Sequence, residues 1–124
     1  MRIEKNRLVK GFIDYVDREI TPKLTDDKAM QVILTVGTNM IRANPNIADA
    51  VLKNKVLLPF MGYSAEDDTY ELDTLFNTCH DAVSKVGHLP VKIPPISFLS
   101  PTEKVLKFSA EDIDALRKYV EEAR

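Results

Sequence analysis

A chain of 124 residues fits one domain and is long enough to bury a core without disulfide or metal staples. Its 44% hydrophobic and 29% charged residues suit a soluble globular protein, and 17 basic against 19 acidic residues give a formal charge of −2, without the cationic excess of a dedicated nucleic-acid binder. The single Cys79 excludes an intramolecular disulfide and suits a reducing compartment; with no charged leader before an apolar run and no bilayer-length apolar stretch, a cytoplasmic protein that does not enter membranes is expected.

The first helix is predicted from Arg2 to Ile20, with Leu8, Val9, Phe12, Ile13, Val16 and Ile20 as its apolar stripe and Gly11 in its interior. It should stop at Thr21, because a residue before proline is pushed out of the α region. Asp26 to Ala43 is predicted as the central packing helix, capped by Thr25 and ended by Asn44 and Pro45. Its stripe is Met30, Ile33, Leu34, Gly37, Met40 and Ile41. Val32, Val36 and Ala43 extend it round the helix, so cover from more than one side is expected. Gly37 costs about 1 kcal/mol against alanine in a helix interior, which suggests that a neighbouring backbone approaches there.

A short third helix is expected from Ile47 to about Lys53. The stretch Val56 to Tyr63 is apolar but broken by Pro59 and Gly62, and Ser64 to Asp68 reads as a charged, poorly ordered loop. Asp73 is expected to cap a fourth helix on which Leu72, Leu75, Phe76, Cys79, Ala82, Val83 and Val86 share a face, with Gly87 as its left-handed C-cap. The period then changes. Leu89, Val91 and Ile93 alternate with Pro90 and Lys92, a strand in which Pro90 fits only the start or an edge. Val105 to Phe108 reads as its antiparallel partner across the loop Pro94 to Thr102. Ser109 and Asp112 then make a capping box for the last helix. The fold class expected is α+β, mostly α: a helical body of about four helices plus a C-terminal β-β-α unit with a two-stranded hairpin, one domain over residues 1–124.

Chemical signatures are sparse. No glycine-rich phosphate loop, paired CxxC, HExxH or GxSxG motif is present. Cys79, His80 and Asp81 are consecutive on a helix, so they point about 100° apart and cannot converge on one substrate atom. His80 and His88 lie about 12 Å apart along a helix axis, too far for one ion. Glu66, Asp67 and Asp68 lack the EF-hand pattern. Arg2, Lys5, Arg7 and Lys10 offer charge to a phosphate, but Asp14, Asp17 and Glu19 on the same helix dilute their field. The sequence therefore nominates no catalytic, cofactor-binding or metal-ligating residue, and no cofactor or small-molecule substrate is expected.

Two proline-punctuated apolar stretches stand apart, Val56 to Met61 and Ile93 to Leu99. Either they fold back as a lid on the core or they form an exposed patch that takes a partner. On the second alternative the interaction surface is Leu58, Phe60, Met61, Ile96, Phe98 and Leu99.

The succession of a helical front, the proline-bearing strand Leu89 to Pro95 and the segment VLKF-SAEDIDALRKYV resembles small uncharacterised proteins encoded by phages and prophages of low-GC Gram-positive bacteria. The resemblance implies a structural or assembly role and assigns no residues. The function expected is a non-enzymatic interaction or assembly protein, with a protein partner or self-association. The alternatives are a small nucleic-acid-associated regulator using the N-terminal helix, and an enzyme of unrecognised type.

Overall fold

A computed structural model describes residues 1–48, 62–93, 95 and 102–123. The chain begins with strand β1 (Arg2–Glu4), helix α1 (Lys5–Tyr15), a π-helical turn (Val16–Ile20) and a 3₁₀ turn (Thr21–Lys23). Helix α2 (Lys28–Ala43) and a 3₁₀ turn (Pro45–Ala48) follow, then strands β2 (Tyr63–Ser64) and β3 (Thr69–Glu71) and helix α3 (Leu72–Val86). Strands β4 (Leu89–Ile93) and β5 (Lys104–Phe108) and helix α4 (Ala110–Glu122) complete it. The fold is α+β and mostly α, with the expected C-terminal β-β-α region.

The N-terminus departs from the expected helix. Arg2–Glu4 pairs antiparallel with β3, Ile3 opposite Tyr70, and β2 takes the other edge of β3. Three residues are too few for a strand signature, and their pairing partner lies some seventy residues away. Arg2 secures the junction by donating to Thr69 Oγ1 and to the carbonyls of Gly62 and Thr69. The charged stretch Ser64 to Asp68 is part of this hairpin rather than a poorly ordered loop. Asp68 sits at φ +55°, a left-handed position that aspartate tolerates, and accepts from the Tyr63 hydroxyl at 2.7 Å.

Helical backbone also does not stop at Thr21, whose φ and ψ are −57° and −44°. Pro22 opens the following 3₁₀ turn, where its missing N–H removes no helical bond. Two caps differ as well. Asp27, not Thr25, caps α2 by accepting from the Met30 amide at 3.0 Å, and Glu71, not Asp73, caps α3 by accepting from the Asp73 amide at 3.2 Å. The other expected ends hold. Gly87 is left-handed at φ +92°, and Ser109 and Asp112 exchange both capping-box bonds.

The core is centred elsewhere than expected. Ile3, Leu8, Tyr70, Leu72, Leu75, Phe76, Val83, Ile113 and Val120 form its main cluster, built from α1, α3, α4 and the β1–β3 strands. Helix α1 lies directly on α4: a Cβ added at Gly11 would stand 2.6 Å from Val120 Cα. Helix α2 is peripheral. Only Met30 and Thr38 are buried on it, Val32, Val36 and Met40 are 46%, 51% and 54% exposed, and among the described residues no atom outside the helix's own backbone lies within 4 Å of where a Cβ on Gly37 would stand. An apolar stripe reports which face prefers cover; it does not say how much cover the fold provides.

The expected third helix begins as the Pro45–Ala48 turn, and its remainder lies outside the described residues. So do most of the two proline-punctuated stretches. Among the described residues, no helix is long and apolar enough to cross a membrane.

Candidate docking groove

The π-helical turn is the least regular backbone in the described helices. Such turns widen the coil by one residue and occur often at functional sites. Here the widening aims two carboxylates at different neighbours. Asp17 Oδ1 accepts from the Thr38 hydroxyl of α2 at 3.0 Å, and its other oxygen pairs with Arg42. Glu19 Oε1 accepts from the Tyr119 hydroxyl of α4 at 2.8 Å, and Oε2 lies 3.7 Å from Lys23 Nζ. The turn is thus tied to a helix on each side.

Beneath it, the buried Tyr15 donates to Asp112 Oδ1 at 2.9 Å and meets the Tyr119 ring edge-on, with centroids 5.6 Å apart. Burial, then the Asp112 carboxylate, raise the Tyr15 phenol well above its ordinary value, so it stays a donor. Burial pushes the Asp112 carboxyl up, but bonds from the Ser109 amide, the Tyr15 hydroxyl and the Ser109 hydroxyl outweigh it and hold the group below the usual carboxylate range. One aspartate therefore caps α4 and anchors the tyrosine.

On another side the turn faces β5. Glu19, Ile20, Lys23 and Leu24 form one wall of a groove of about 340 Å³, and Val105, Leu106, Lys107 and Phe108 form the other. Along β5 burial alternates: Lys104, Leu106 and Phe108 face inward, Val105 and Lys107 outward. Lys104 is tied to Asp27 at 3.3 Å, which joins the strand to the start of α2.

The strand register determines what the edge of β5 offers. Pro90 stands opposite Lys107 and has no N–H, so this pair cannot be one that exchanges two backbone bonds. The bonded pairs are therefore Leu89–Phe108, Val91–Leu106 and Ile93–Lys104. Antiparallel strands alternate such pairs, so the N–H and C=O groups of Val105 and Lys107 point away from β4. Among the described residues no backbone group pairs with them. The outer edge of β4 is poorer by the donor that Pro90 lacks. The hairpin has one blunted edge and one open edge.

The residues singled out from the sequence do not form a catalytic centre. Cys79 is half-buried on α3, and burial raises its thiol away from the reactive thiolate. His80 Nδ1 lies 3.0 Å from Asp114 Oδ1 on α4, and His88 sits beyond the end of α3. Among the described residues, no three His, Cys, Asp or Glu side chains are placed to hold a metal ion. The N-terminal cations are engaged within the fold: Arg2 on β3, Lys5 near Asp68 at 3.8 Å, and Arg7 on the carbonyls of Val120 and Glu121 at the end of α4. Leu58, Phe60, Met61, Ile96, Phe98 and Leu99 lie outside the described residues.

The groove was not identified from the sequence. Glu19 read only as a charge diluting the basic field of the first helix, and Val105 to Phe108 as an ordinary strand. The usable signal was Pro90, which marks its own strand as an edge and, through the register, determines which backbone groups of the partner strand face out. Comparisons with protein families, curated proteins and solved structures return no match.

Proposed function

We propose that this chain is a non-enzymatic interaction or assembly protein that works through a partner surface. The observation that supports it is the open edge of β5, with four backbone polar groups facing a groove instead of a neighbouring strand. Edge strands with unpaired donors and acceptors are templates for another chain, and natural proteins blunt those they do not use. β4 lacks a donor at Pro90; β5 keeps all its backbone donors and carries only the outward charge of Lys107. A role in assembling a phage or prophage product is the form of this reading that the sequence resemblance implies.

Amide hydrogen exchange on the isolated chain tests it, alongside light scattering to establish the oligomeric state. The reading expects the Val105 and Lys107 amides to exchange fast in the monomer and to slow when the chain is engaged by itself or by a partner. Strong protection of both amides in a monomer would mean that the chain already occupies its own edge, and would overturn the reading.

A further inference from the structure

Resting on that reading, we infer that the groove takes an extended peptide segment of alternating apolar and acidic residues, which adds to the hairpin as a third strand beside β5. The mode follows from the backbone. Val105 and Lys107 present two N–H and two C=O groups at the spacing an added strand requires, about 4.8 Å from the next backbone. The side-chain pattern follows from the faces of β5. Residues of the incoming strand on the inner face meet Leu106 and the Ile20 and Leu24 side of the groove, which favours apolar groups. Residues on the outer face stand beside Val105 and Lys107. Lys107 is exposed, and the Lys23 side chain across the groove is 74% exposed. The one carboxylate of the walls, Glu19, is already held by the Tyr119 hydroxyl and by Lys23. Lys23 is thus already paired with Glu19, and Lys107, for which no ion pair is found among the described residues, is the cation the groove presents to an incoming strand; cross-strand pairs favour opposite charge.

A second copy of the same edge fits less well. In the antiparallel register that uses both outward donors of each copy, Lys107 of one strand stands opposite Val105 of the other and diagonal to its Lys107, so two like charges share one face where an acidic strand would place opposite ones.

The probe is a capped hexapeptide alternating glutamate and valine, labelled for anisotropy. Its controls are the same peptide with lysine for glutamate, and the glutamate peptide N-methylated at alternate residues on its hydrogen-bonding side. The expected result is that the glutamate peptide binds at least tenfold more tightly than the lysine peptide and slows exchange at Val105 and Lys107. N-methylation should abolish binding, and Lys23→Glu with Lys107→Glu should reverse the charge preference while the circular dichroism spectrum is unchanged. Equal binding of both charge types, or binding indifferent to N-methylation, would overturn the inference. Protection of the two amides only through self-association, with no peptide bound, would overturn it in favour of a second copy and leave the interaction reading standing. Protection of both amides in the peptide-free monomer would remove the inference and that reading together.

Discussion

Replacing Gly11 by alanine tests where the core is centred, because local and tertiary effects on this substitution have opposite signs. In a helix interior alanine is favoured over glycine by about 1 kcal/mol, so Gly11→Ala on an isolated α1 would stabilise. In the fold the added methyl would stand 2.6 Å from Val120 Cα, 2.7 Å from Cγ2 and 2.9 Å from the amide nitrogen. Carbon atoms in contact prefer about 3.5–4.0 Å, so α4 would have to retreat by roughly 1 Å. Two of the three opposing atoms are main chain and cannot rotate away, and Val120 is fully buried. Overpacking a filled core costs about 1–3 kcal/mol, with a main-chain clash towards the upper end. Set against the propensity gain, a net loss of about 1–2 kcal/mol is expected, or a melting temperature lower by roughly 3–10 °C for a domain of this size. Far-UV circular dichroism in a denaturant titration suits a chain without tryptophan. Gly37→Ala is the internal control: among the described residues nothing beyond its own helix lies within 4 Å of its added Cβ, so it should stabilise by up to about 1 kcal/mol. Val120→Ala should not rescue Gly11→Ala, since it removes only the Cγ2 contact. A Gly11→Ala protein as stable as the parent would refute the close α1–α4 packing, and rescue by Val120→Ala would show that the clash is with a side chain.

Other substitutions test the remaining ties. Asp112 has a depressed folded pKa, so its contribution is present above the unfolded value of about 3.9 and is lost as pH falls through the folded one. Asp112→Asn should lower stability at neutral pH and flatten the acid limb of the stability curve; an unchanged acid limb would count against the Tyr15–Asp112 tie. Ser109→Ala removes one arm of the capping box and should cost about 1 kcal/mol, measured by the same titration. Cys79 should react slowly with a thiol reagent in the native state at neutral pH and quickly in denaturant; equal rates would contradict its burial on α3. Ile33→Ala and Leu34→Ala, both at half-buried positions on the peripheral α2, should each cost less than the 2–5 kcal/mol typical of a core truncation.

What the sequence by itself determined is mostly local. The C-terminal β-β-α region was legible because strand alternation, Pro90, the Ser109–Asp112 box and the stripe of the last helix each act within a few residues. Gly87 and Asn44 mark helix ends for the same reason: a left-handed cap and a following proline are local constraints. The tertiary structure decided everything that depends on distant partners. Ile3 is in a strand because Tyr70 lies opposite it, and Asp27 rather than Thr25 is the cap in the structure that also joins Lys104 to α2. Gly11 and Gly37 look alike in sequence, two glycines inside amphipathic helices; the packing of α4 makes a side chain costly at Gly11, while among the described residues nothing outside its own helix crowds Gly37. The groove belongs to the same class. Its walls come from residues 19–24 and 105–108, and its open edge exists because the register sets Lys107 against a proline. Periodicity shows that a face seeks cover and that a strand has an edge, but which chain supplies the cover is a property of the folded surface.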